Sequence, residues 1–395
     1  MKQPGSCDIF CNVIDNYGDI GVSWRLARQL ANEFGLAVRL WVDDLASFAK
    51  LCPDADAALS SQRVRGVEVR LWGASFADVH PAEVVIDAFG CALPPSYLAA
   101  MTEVAEQPIW INLEYLSAED WVEGCHKLPS PKPPLTRYFF FPGYTKKTGG
   151  LLLERDLLAR RDAFLDDPLQ QTAFWQSVGM EMPAADTLKI SLFAYENAAL
   201  AGLFDAWANG VKPVLCLVPE GRILPQVREY FVGRDSSRHG ELVGMNPDLQ
   251  NYGNLQVRVL PFVEQERYDE LLWACDVNFV RGEDSCVRAQ WAGKPFIWQI
   301  YPQHDAVHWH KLQAFLNRYG VPLSPAASQA LQGLWRVWND EGDAVQEWNA
   351  FADVLSELNI RALTWAYELA ENTLALNLLD FIQEIGRIRA LKIEG

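Results

Sequence analysis

Short apolar runs alternate with segments of helical periodicity along most of the chain. Because most of the runs are continuously apolar, they are typical of strands buried on both faces of a parallel sheet. The runs of the first half are residues 7–14, 37–42, 67–72, 84–89, 108–113 and 137–141. Those of the second half are residues 188–193, 214–218, 255–260, 274–280 and 296–300. The pattern therefore predicts an α/β fold made of two similar blocks.

The turn after the first run carries two carboxylates. Residues 15–21 read DNYGDIG, and a helix with one apolar face follows them. Ligands of open α/β sheets bind where the strands end, so Asp15 and Asp19 are expected at a ligand-binding edge. Gly18 permits a tight turn with close backbone approach. Considered alone, Asp19 is equally well explained as an ordinary N-cap of the helix.

A second turn of this type surrounds residue 284. The apolar run 274–280 is followed by RGEDS at 281–285 and then by a helical pattern at 286–291. The amides of Asp284 and Ser285 are thus expected at the beginning of a helix, which is a favourable place for an anionic diphosphate. A plain, well-capped connection between strand and helix is the alternative for this segment taken by itself.

Length and charge narrow the choice of function. The chain has 395 residues, which exceeds the usual size of a single core. Its formal net charge of −17 argues against an obligate nucleic-acid binder and is compatible with a basic target side chain. No G-x-G-x-x-G follows a predicted strand, and no glycine-rich run ends in GKS or GKT. A dinucleotide oxidoreductase and a P-loop enzyme are therefore disfavoured.

Cysteine and histidine usage indicates neither disulfides nor a metal site. The eight cysteines are scattered without a CxxC pair, as expected for buried thiols in a reducing cytoplasm. No secretion signal precedes Cys7, and no uncharged apolar run reaches about eighteen residues, so we expect a cytoplasmic protein without a membrane span. For His304, His308 and His310, with Asp305 as the nearby carboxylate, local hydrogen bonding is favoured over metal ligation. We therefore expect no metal and no cofactor.

The two blocks predict two domains. The first comprises residues 1–178 and the second residues 179–369, and the terminal helix at 370–395 is expected to pack back on the first. Segments 128–134 and 154–168 are rich in prolines or charged residues and are interpreted as loops or linkers.

Four segments together identify a family. They are DNYGDIGVSWRLARQL at 15–30, LFAYEN at 192–197, PFVEQ at 261–265 and RGEDS at 281–285. With them the chain resembles the EarP family of bacterial protein-arginine rhamnosyltransferases over nearly its whole length. The resemblance implies a GT-B glycosyltransferase fold, with two Rossmann-like domains facing each other across a cleft.

The resemblance also implies an activity. It implies metal-independent, inverting transfer of L-rhamnose from dTDP-β-L-rhamnose to an arginine of elongation factor P, which activates that translation factor. Elongation factor P would be the protein partner, and neither nucleic acid nor a membrane would be involved.

Carried over residue by residue, the resemblance assigns the site. Asp15, Asp19 and Glu283 would be the catalytic carboxylates, with Asp19 as the general base. The donor-binding residues would be Asn16, Tyr17, Gly18, Phe193, Tyr195, Phe262, Gln265, Arg281, Gly282, Asp284 and Ser285.

The resemblance also implies the roles of residues within the donor site, and these roles suit the chemistry of the side chains. Phe262 would stack on the thymine and Gln265 would form a hydrogen bond with it. Asp284 and Ser285 would hold the diphosphate, with Arg281 as a counter-charge. From the residues alone, core packing at a strand end explains the two phenylalanines of the set equally well.

The implied acceptor explains why carboxylates would cluster. The pKa of an arginine side chain is about 13.8, so full deprotonation at neutral pH costs roughly 9 kcal/mol. Carboxylates would instead hold the cation against the anomeric carbon, and one of them would accept the proton late in the step. Two alternatives remain open: a GT-B transferase or sugar-nucleotide epimerase acting on a small molecule, and a nonenzymatic regulator that binds a sugar nucleotide.

Overall fold

The chain divides into two compact units by its internal contacts. The computed structural model describes residues 4–14, 17–73, 76, 78–232, 248–301, 307–340 and 342–394. Unit 1 consists of Met1–Arg155 and Leu369–Gly395, and unit 2 of Asp156–Glu368. Among the described residues, no helix combines the length and the apolar character that crossing a bilayer requires.

Strands and helices alternate along the chain. The strands are β1 (Ser6–Cys11), β2 (Ala37–Val42), β3 (Ser61–Val64), β4 (Val67–Leu71), β5 (Val84–Ala88), β6 (Ile109–Leu113), β7 (Pro129–Lys132), β8 (Leu135–Phe140), β9 (Leu188–Leu192), β10 (Val214–Pro219), β11 (Leu249–Tyr252), β12 (Leu255–Leu260), β13 (Val277–Arg281) and β14 (Phe296–Gln299). The helices are α1 (Gly18–Asn32), α2 (Leu45–Leu51), α3 (Pro95–Glu103), α4 (Trp121–Cys125), α5 (Leu157–Asp166), α6 (Pro168–Ser177), α7 (Leu200–Asn209), α8 (Leu224–Val232), α9 (Gln265–Ala274), α10 (Gly282–Ala292), α11 (Val307–Tyr319), α12 (Pro325–Asn339), α13 (Ala344–Asp353), α14 (Leu355–Leu369) and α15 (Leu374–Glu394).

Unit 1 is built on a mixed sheet with a parallel centre. The strands lie in the order β3-β4-β2-β1-β5-β6-β8-β7. β3 and β7 pair antiparallel at the two edges, and the strands between them are parallel. This is the strand order of a Rossmann sheet, in which the winding direction reverses between β1 and β5.

Helices pack on the unit 1 sheet and close its core. The ring of Phe10 in β1 stacks on Trp41 with a centroid distance of 5.7 Å and meets Tyr97 of α3 edge-on at 4.8 Å. α15 contacts α1 and β6. Its Arg389 donates to the carbonyl oxygens of Gln107 at 2.6 Å and Pro108 at 3.2 Å, just before β6. The C-terminal helix is therefore an integral part of unit 1.

Unit 2 repeats the plan with a smaller sheet. Its strands lie in the order β11-β12-β10-β9-β13-β14, with β11 antiparallel at the edge. Large aromatic side chains fill one core, where Phe279 of β13 lies 4.8 Å from Trp338 and 5.9 Å from Trp207 between ring centroids. The winding direction reverses between β9 and β13. Both units are α/β, which confirms the fold class predicted from the apolar runs.

The segment at 128–134 is a strand, although the sequence predicts a loop. β7 pairs with β8 so that Pro129 lies opposite Tyr138 and Pro131 opposite Thr136. A proline cannot donate a ladder hydrogen bond, and it is tolerated here because β7 is an edge strand with one unpaired side.

The segment at 154–168 contains the boundary between the units, after Arg155, but most of it is the helix α5 and not a loop. Arg161 of this helix is fully buried. Its guanidinium donates to the carbonyl oxygen of Trp291 at 2.9 Å and to the hydroxyl of Tyr367 at 3.0 Å. A charged pattern that suggests solvent exposure is thus partly internal, because its partners come from distant parts of unit 2.

Candidate active site

The point where the winding reverses in unit 2 gathers three of the predicted donor residues. Arg281 ends β13 and is 5% exposed. Its guanidinium carbon lies 4.7 Å from the ring centroid of Phe193 and 4.5 Å from that of Tyr195, both of which follow β9. The backbone amide of Tyr195 donates to the side-chain oxygen of Gln299 at the end of β14 at 2.8 Å, which holds the backbone that carries the ring. The structure therefore brings a buried cation and two aromatic rings together at the carboxyl ends of three strands.

The connection from β13 to α10 turns sharply at a glycine. Gly282 has a φ of 65°, in the left-handed region that glycine adopts without strain. Its carbonyl oxygen accepts a hydrogen bond from the indole of Trp298 at 2.8 Å. The Ser285 hydroxyl accepts from the amide of Arg281 at 3.2 Å and donates to the carbonyl oxygen of the same residue. Because α10 begins at Gly282, the amide of Ser285 already lies at the end of the first turn.

Two acidic residues lie in that first turn. Glu283 and Asp284 are half-buried, in a position where the helix dipole favours negative charge. The carboxylate of Asp284 accepts from the side-chain amide of Gln265 at 3.2 Å. Gln265 is the first residue of α9 and is 3% exposed. The predicted base-recognition residue and the predicted diphosphate turn are thus in direct contact.

A buried ion pair locks α9 against α10. The guanidinium of Arg288 donates two hydrogen bonds of 2.7 Å to the carboxylate of Asp269, and both side chains are almost inaccessible to solvent. Sequence analysis did not identify this pair. The sequence indicates the pair only weakly, because single charged residues on two helices usually lie on solvent-exposed faces. The pair fixes the register of the two helix starts relative to each other.

Phe262 lies in the loop between β12 and α9 and is half-buried. A side chain enclosed in a strand-end core would be fully buried, as many aromatic residues of unit 2 are. Because the side chain is partly exposed, it keeps a surface that is compatible with stacking on a base. The stacking role stays a prediction.

Arg222 was missed by sequence analysis. It follows β10, and its guanidinium carbon lies 5.7 Å from the ring centroid of Tyr195, on which Arg281 also packs. Arg222 forms an ion pair of 3.1 Å with Glu196. Its position just after a strand of the parallel sheet was the sequence feature that could have identified Arg222 as a candidate site residue.

In unit 1, Asp19 is a buried carboxylate in the first turn of α1. It is 3% exposed, and it accepts a hydrogen bond from the backbone amide of Ile14 at 2.9 Å. Tyr17 is the N-cap of α1 and makes no side-chain capping bond, and Gly18 is the first helical residue. Asp19 is therefore not the N-cap, which removes the alternative explanation considered from the sequence. Asp15 and Asn16 lie outside the described residues.

Asp43 shapes the loop before Asp19 and was not predicted. Its carboxylate accepts from the backbone amide of Val13 and from the side-chain amide of Asn12, both at 2.8 Å. These bonds, together with the Ile14–Asp19 bond, end β1 at Cys11, three residues before the predicted strand end. The signal was the pair of aspartates directly after the apolar run of β2.

Possible metal ligands are not grouped in the part of the chain that the structure describes, where no three His, Cys, Asp or Glu side chains come together. His304 and Asp305 lie outside the described residues, whereas His308 and His310 are on α11.

A family model and close relatives match this chain. The model described as elongation factor P (EF-P) rhamnosyltransferase EarP matches residues 7–383. A protein-arginine rhamnosyltransferase of Pseudomonas putida is 52% identical over 377 residues, which are 95% of this chain and 97% of that protein. One from Pseudomonas aeruginosa is 48% identical over 365 residues, or 92% and 94% of the two chains.

Solved structures share the fold of this chain. One, described as the structural basis for EarP-mediated arginine glycosylation of translation elongation factor EF-P, has a TM-score of 0.67 and 39% identity, and the match covers 95% of this chain and 98% of that one. A glycosyltransferase from Rickettsia africae has a TM-score of 0.54 at 8% identity, covering 97% and 98%, and this likeness bears on the fold alone. The GT-B fold class predicted from the sequence is confirmed.

Proposed function

This chain belongs to the EarP family of protein-arginine rhamnosyltransferases, and we propose that it transfers L-rhamnose from dTDP-β-L-rhamnose to an arginine side chain of elongation factor P. The matching family model and relatives confirm the family resemblance that the sequence indicates. The donor, the stereochemical course, the acceptor protein and the activation of that factor are the parts that we propose.

One observation carries the donor assignment: the grouping of Arg281 with Phe193 and Tyr195 beside the first turn of α10. A guanidinium and the amides of a helix start both favour an anion, and the diphosphate of a sugar nucleotide is such an anion. As the sugar departs, negative charge develops on that diphosphate. Fixed dipoles aimed at it stabilise the leaving group without requiring a metal.

The base is assigned to the start of α9. The ring of Phe262 would stack on the thymine, and Gln265 would form hydrogen bonds with its edge. The bond from Gln265 to Asp284 supports this role, because it fixes the orientation of the amide. Asn16, Tyr17 and Gly18 would complete the donor site.

The acceptor is assigned to the carboxylates. Asp15 and Asp19 would hold the guanidinium by paired hydrogen bonds, Glu283 would be the third carboxylate, and Asp19 would take the proton as the new bond forms. The attacking nitrogen becomes far more acidic as it bonds to carbon, so a weak base suffices late in the step. Attack on the face opposite the departing dTDP inverts the centre and gives an α-linked rhamnose.

The proposal is tested by the intact mass of purified elongation factor P after incubation with this protein and dTDP-β-L-rhamnose. We expect the mass to increase by one rhamnose, the modified residue to be an arginine, and NMR to show an α linkage. An unmodified factor, together with transfer to a small-molecule acceptor, would instead support the small-molecule alternative. A β-linked product would overturn the inverting course alone.

A further inference from the structure

A strained aromatic residue ends β5 in unit 1. Phe89 has a φ of 59°, in the left-handed region that a phenylalanine rarely adopts. Its amide donates to the carbonyl oxygen of Leu113 at 2.6 Å, which holds the backbone in this conformation. Backbone strain of this kind persists only where the surroundings enforce it, and it concentrates at functional sites.

The strained residue forms half of an aromatic stack. The rings of Phe89 and Tyr115 lie 4.4 Å apart between centroids, with 20° between their planes, and both side chains are half-buried. A stacked pair with an accessible face is a good surface for a planar cation, because the ring electrons attract the positive charge.

The residue that precedes Tyr115 in the chain is a carboxylate, Glu114. Glu114 accepts a hydrogen bond of 2.5 Å from the side-chain amide of Asn112. Asn112 is 1% exposed, and its amide oxygen has no hydrogen-bond partner among the described residues. That oxygen lies 3.9 Å from the point where Gly90 would carry a Cβ, so it faces the Phe89–Gly90 turn. A buried acceptor without a partner, next to an oriented carboxylate, suits a ligand rich in N–H donors.

The position of the cluster relates it to the acceptor carboxylates. β5 is the neighbour of β1 at the reversal of winding in unit 1, and Phe10 pairs with Asp87 in this register. Phe89 lies two residues beyond that pair, at the sheet edge where β1 also ends. Ligands of such sheets bind between the strands at this point.

We propose that Phe89, Glu114 and Tyr115 form the site that recognises the acceptor side chain as an arginine. The aromatic pair stacks on the planar guanidinium, and Glu114, oriented by Asn112, accepts hydrogen bonds from N–H groups that the catalytic carboxylates leave. A lysine ammonium has neither the plane for stacking nor the forked donors. The inference rests on the proposed function, to which it adds a specificity determinant.

The experiment compares steady-state rhamnosylation of elongation factor P by the full chain and its variants. Phe89→Gly removes the ring but tolerates the left-handed backbone, and Glu114→Gln removes the charge at constant size. We expect the KM for the acceptor to rise at least about tenfold in each, with unchanged dTDP affinity in calorimetry. Glu103→Gln removes an exposed charge at the end of α3, outside the proposed site, and serves as the matched control, with activity close to that of the parent chain.

A second measurement separates recognition from a structural role. Elongation factor P with lysine in place of the target arginine is used as a competitive inhibitor. The original chain should prefer the arginine protein, and Phe89→Gly should reduce that preference, whereas a variant that is merely less stable would retain it.

The possible failures are distinguishable. If the original chain gives no rhamnosylated product, the proposed function is wrong. If it gives product, but Phe89→Gly and Glu114→Gln keep its kcat/KM, the inference is wrong and the proposed function stands. Loss of dTDP affinity in parallel with activity would also overturn the inference, because the residues would then support the donor site or the fold.

Discussion

Asp19 combines properties that a helix cap does not share. Its carboxylate is 3% exposed, and it accepts from the amide of Ile14, which precedes the helix in the chain. An N-cap would instead accept from amides of its own helix. A buried carboxylate tied to the segment that follows a parallel strand is well placed to receive a proton from a ligand at that sheet edge.

Asp19→Asn should therefore separate catalysis from binding. The amide keeps the size and the oxygen that accepts from Ile14, but it loses the charge and the basicity. We expect single-turnover rhamnosylation to fall at least about a hundredfold, the lower end for a lost general base. Affinity for dTDP should hardly change in calorimetry. A variant that turns over at nearly the original rate would remove the general-base assignment.

Asp43→Asn is the matched control for that experiment. Asp43 also orients the loop after β1, through Asn12 and Val13, but we assign it no proton transfer. The rhamnosylation activity of the Asp43→Asn variant should decrease only slightly. If both variants lose activity equally, the effect of Asp19→Asn reflects loop geometry.

Asp87 should make stability depend on pH. Burial raises its pKa from an ordinary 3.8 to about 7, outweighing the ion pair with Arg137 and the hydrogen bond from Trp110. Between about pH 4 and about pH 7 the folded chain therefore holds a proton that the unfolded chain has released. This contribution to stability is complete below that window and is lost as pH rises through it, by on the order of 1 kcal/mol per pH unit.

The measurement is the urea unfolding free energy of the original chain and of Asp87→Asn across this pH range. The stability of the original chain, taken relative to that of the variant, should decline as pH rises towards about 7 and then level off. Parallel curves for the two proteins would show that Asp87 titrates normally.

At the scale of elements, the proposed donor site depends on how α9 and α10 are held together. The helix starts carry the residues assigned to the base and to the diphosphate, and the buried pair of Arg288 and Asp269 sets their register. Removing one partner leaves the other as a buried charge, which is strongly unfavourable.

Asp269→Ala should lower the unfolding free energy by about 3 to 5 kcal/mol and weaken dTDP binding. The double change Asp269→Leu with Arg288→Met removes both charges and should recover much of the stability. Urea unfolding and calorimetry measure the two effects. A loss below about 1 kcal/mol for the single change would mean that the pair is not desolvated in solution.

The loop before α9 should contribute through one ring. Phe262→Ala should weaken dTDP binding by about 1 to 3 kcal/mol, the range for a lost base-stacking aromatic, and should leave the fold intact. Phe262→Tyr keeps a stacking ring and is expected to bind dTDP normally. Unchanged nucleotide affinity in the alanine variant would assign Phe262 to core packing.

At the scale of the whole molecule, charge affects any test for a metal. A net charge of −17 attracts divalent cations nonspecifically, so their presence in a preparation says little about catalysis. Because helix amides and Arg281 are assigned to the leaving diphosphate, we expect rhamnosylation to proceed at an undiminished rate in excess EDTA. Activity that is lost on chelation and returns with one divalent ion would contradict this account.

Much of the fold could be predicted because its signals are local. An apolar run, a turn residue and a helix start act over a few neighbouring residues, so β1, β13 and the turn at 281–285 could be located from sequence alone. The same signals place candidate carboxylates at strand ends. Specific roles for Phe262 and Gln265 came only from the family resemblance, because stacking and core packing require the same residue type.

The tertiary structure decided which strands are neighbours and which charges are buried. In the sequence, Arg161 lies in a charged segment and nothing distinguishes Asp269 from a solvated residue. In the structure, partners more than a dozen residues away bury both side chains. The left-handed backbone of Phe89 depends on a bond to another strand, and the position of Arg281 depends on rings that follow β9. A charge or a strained conformation is stable only if distant groups compensate it, and these contacts are created when the chain folds.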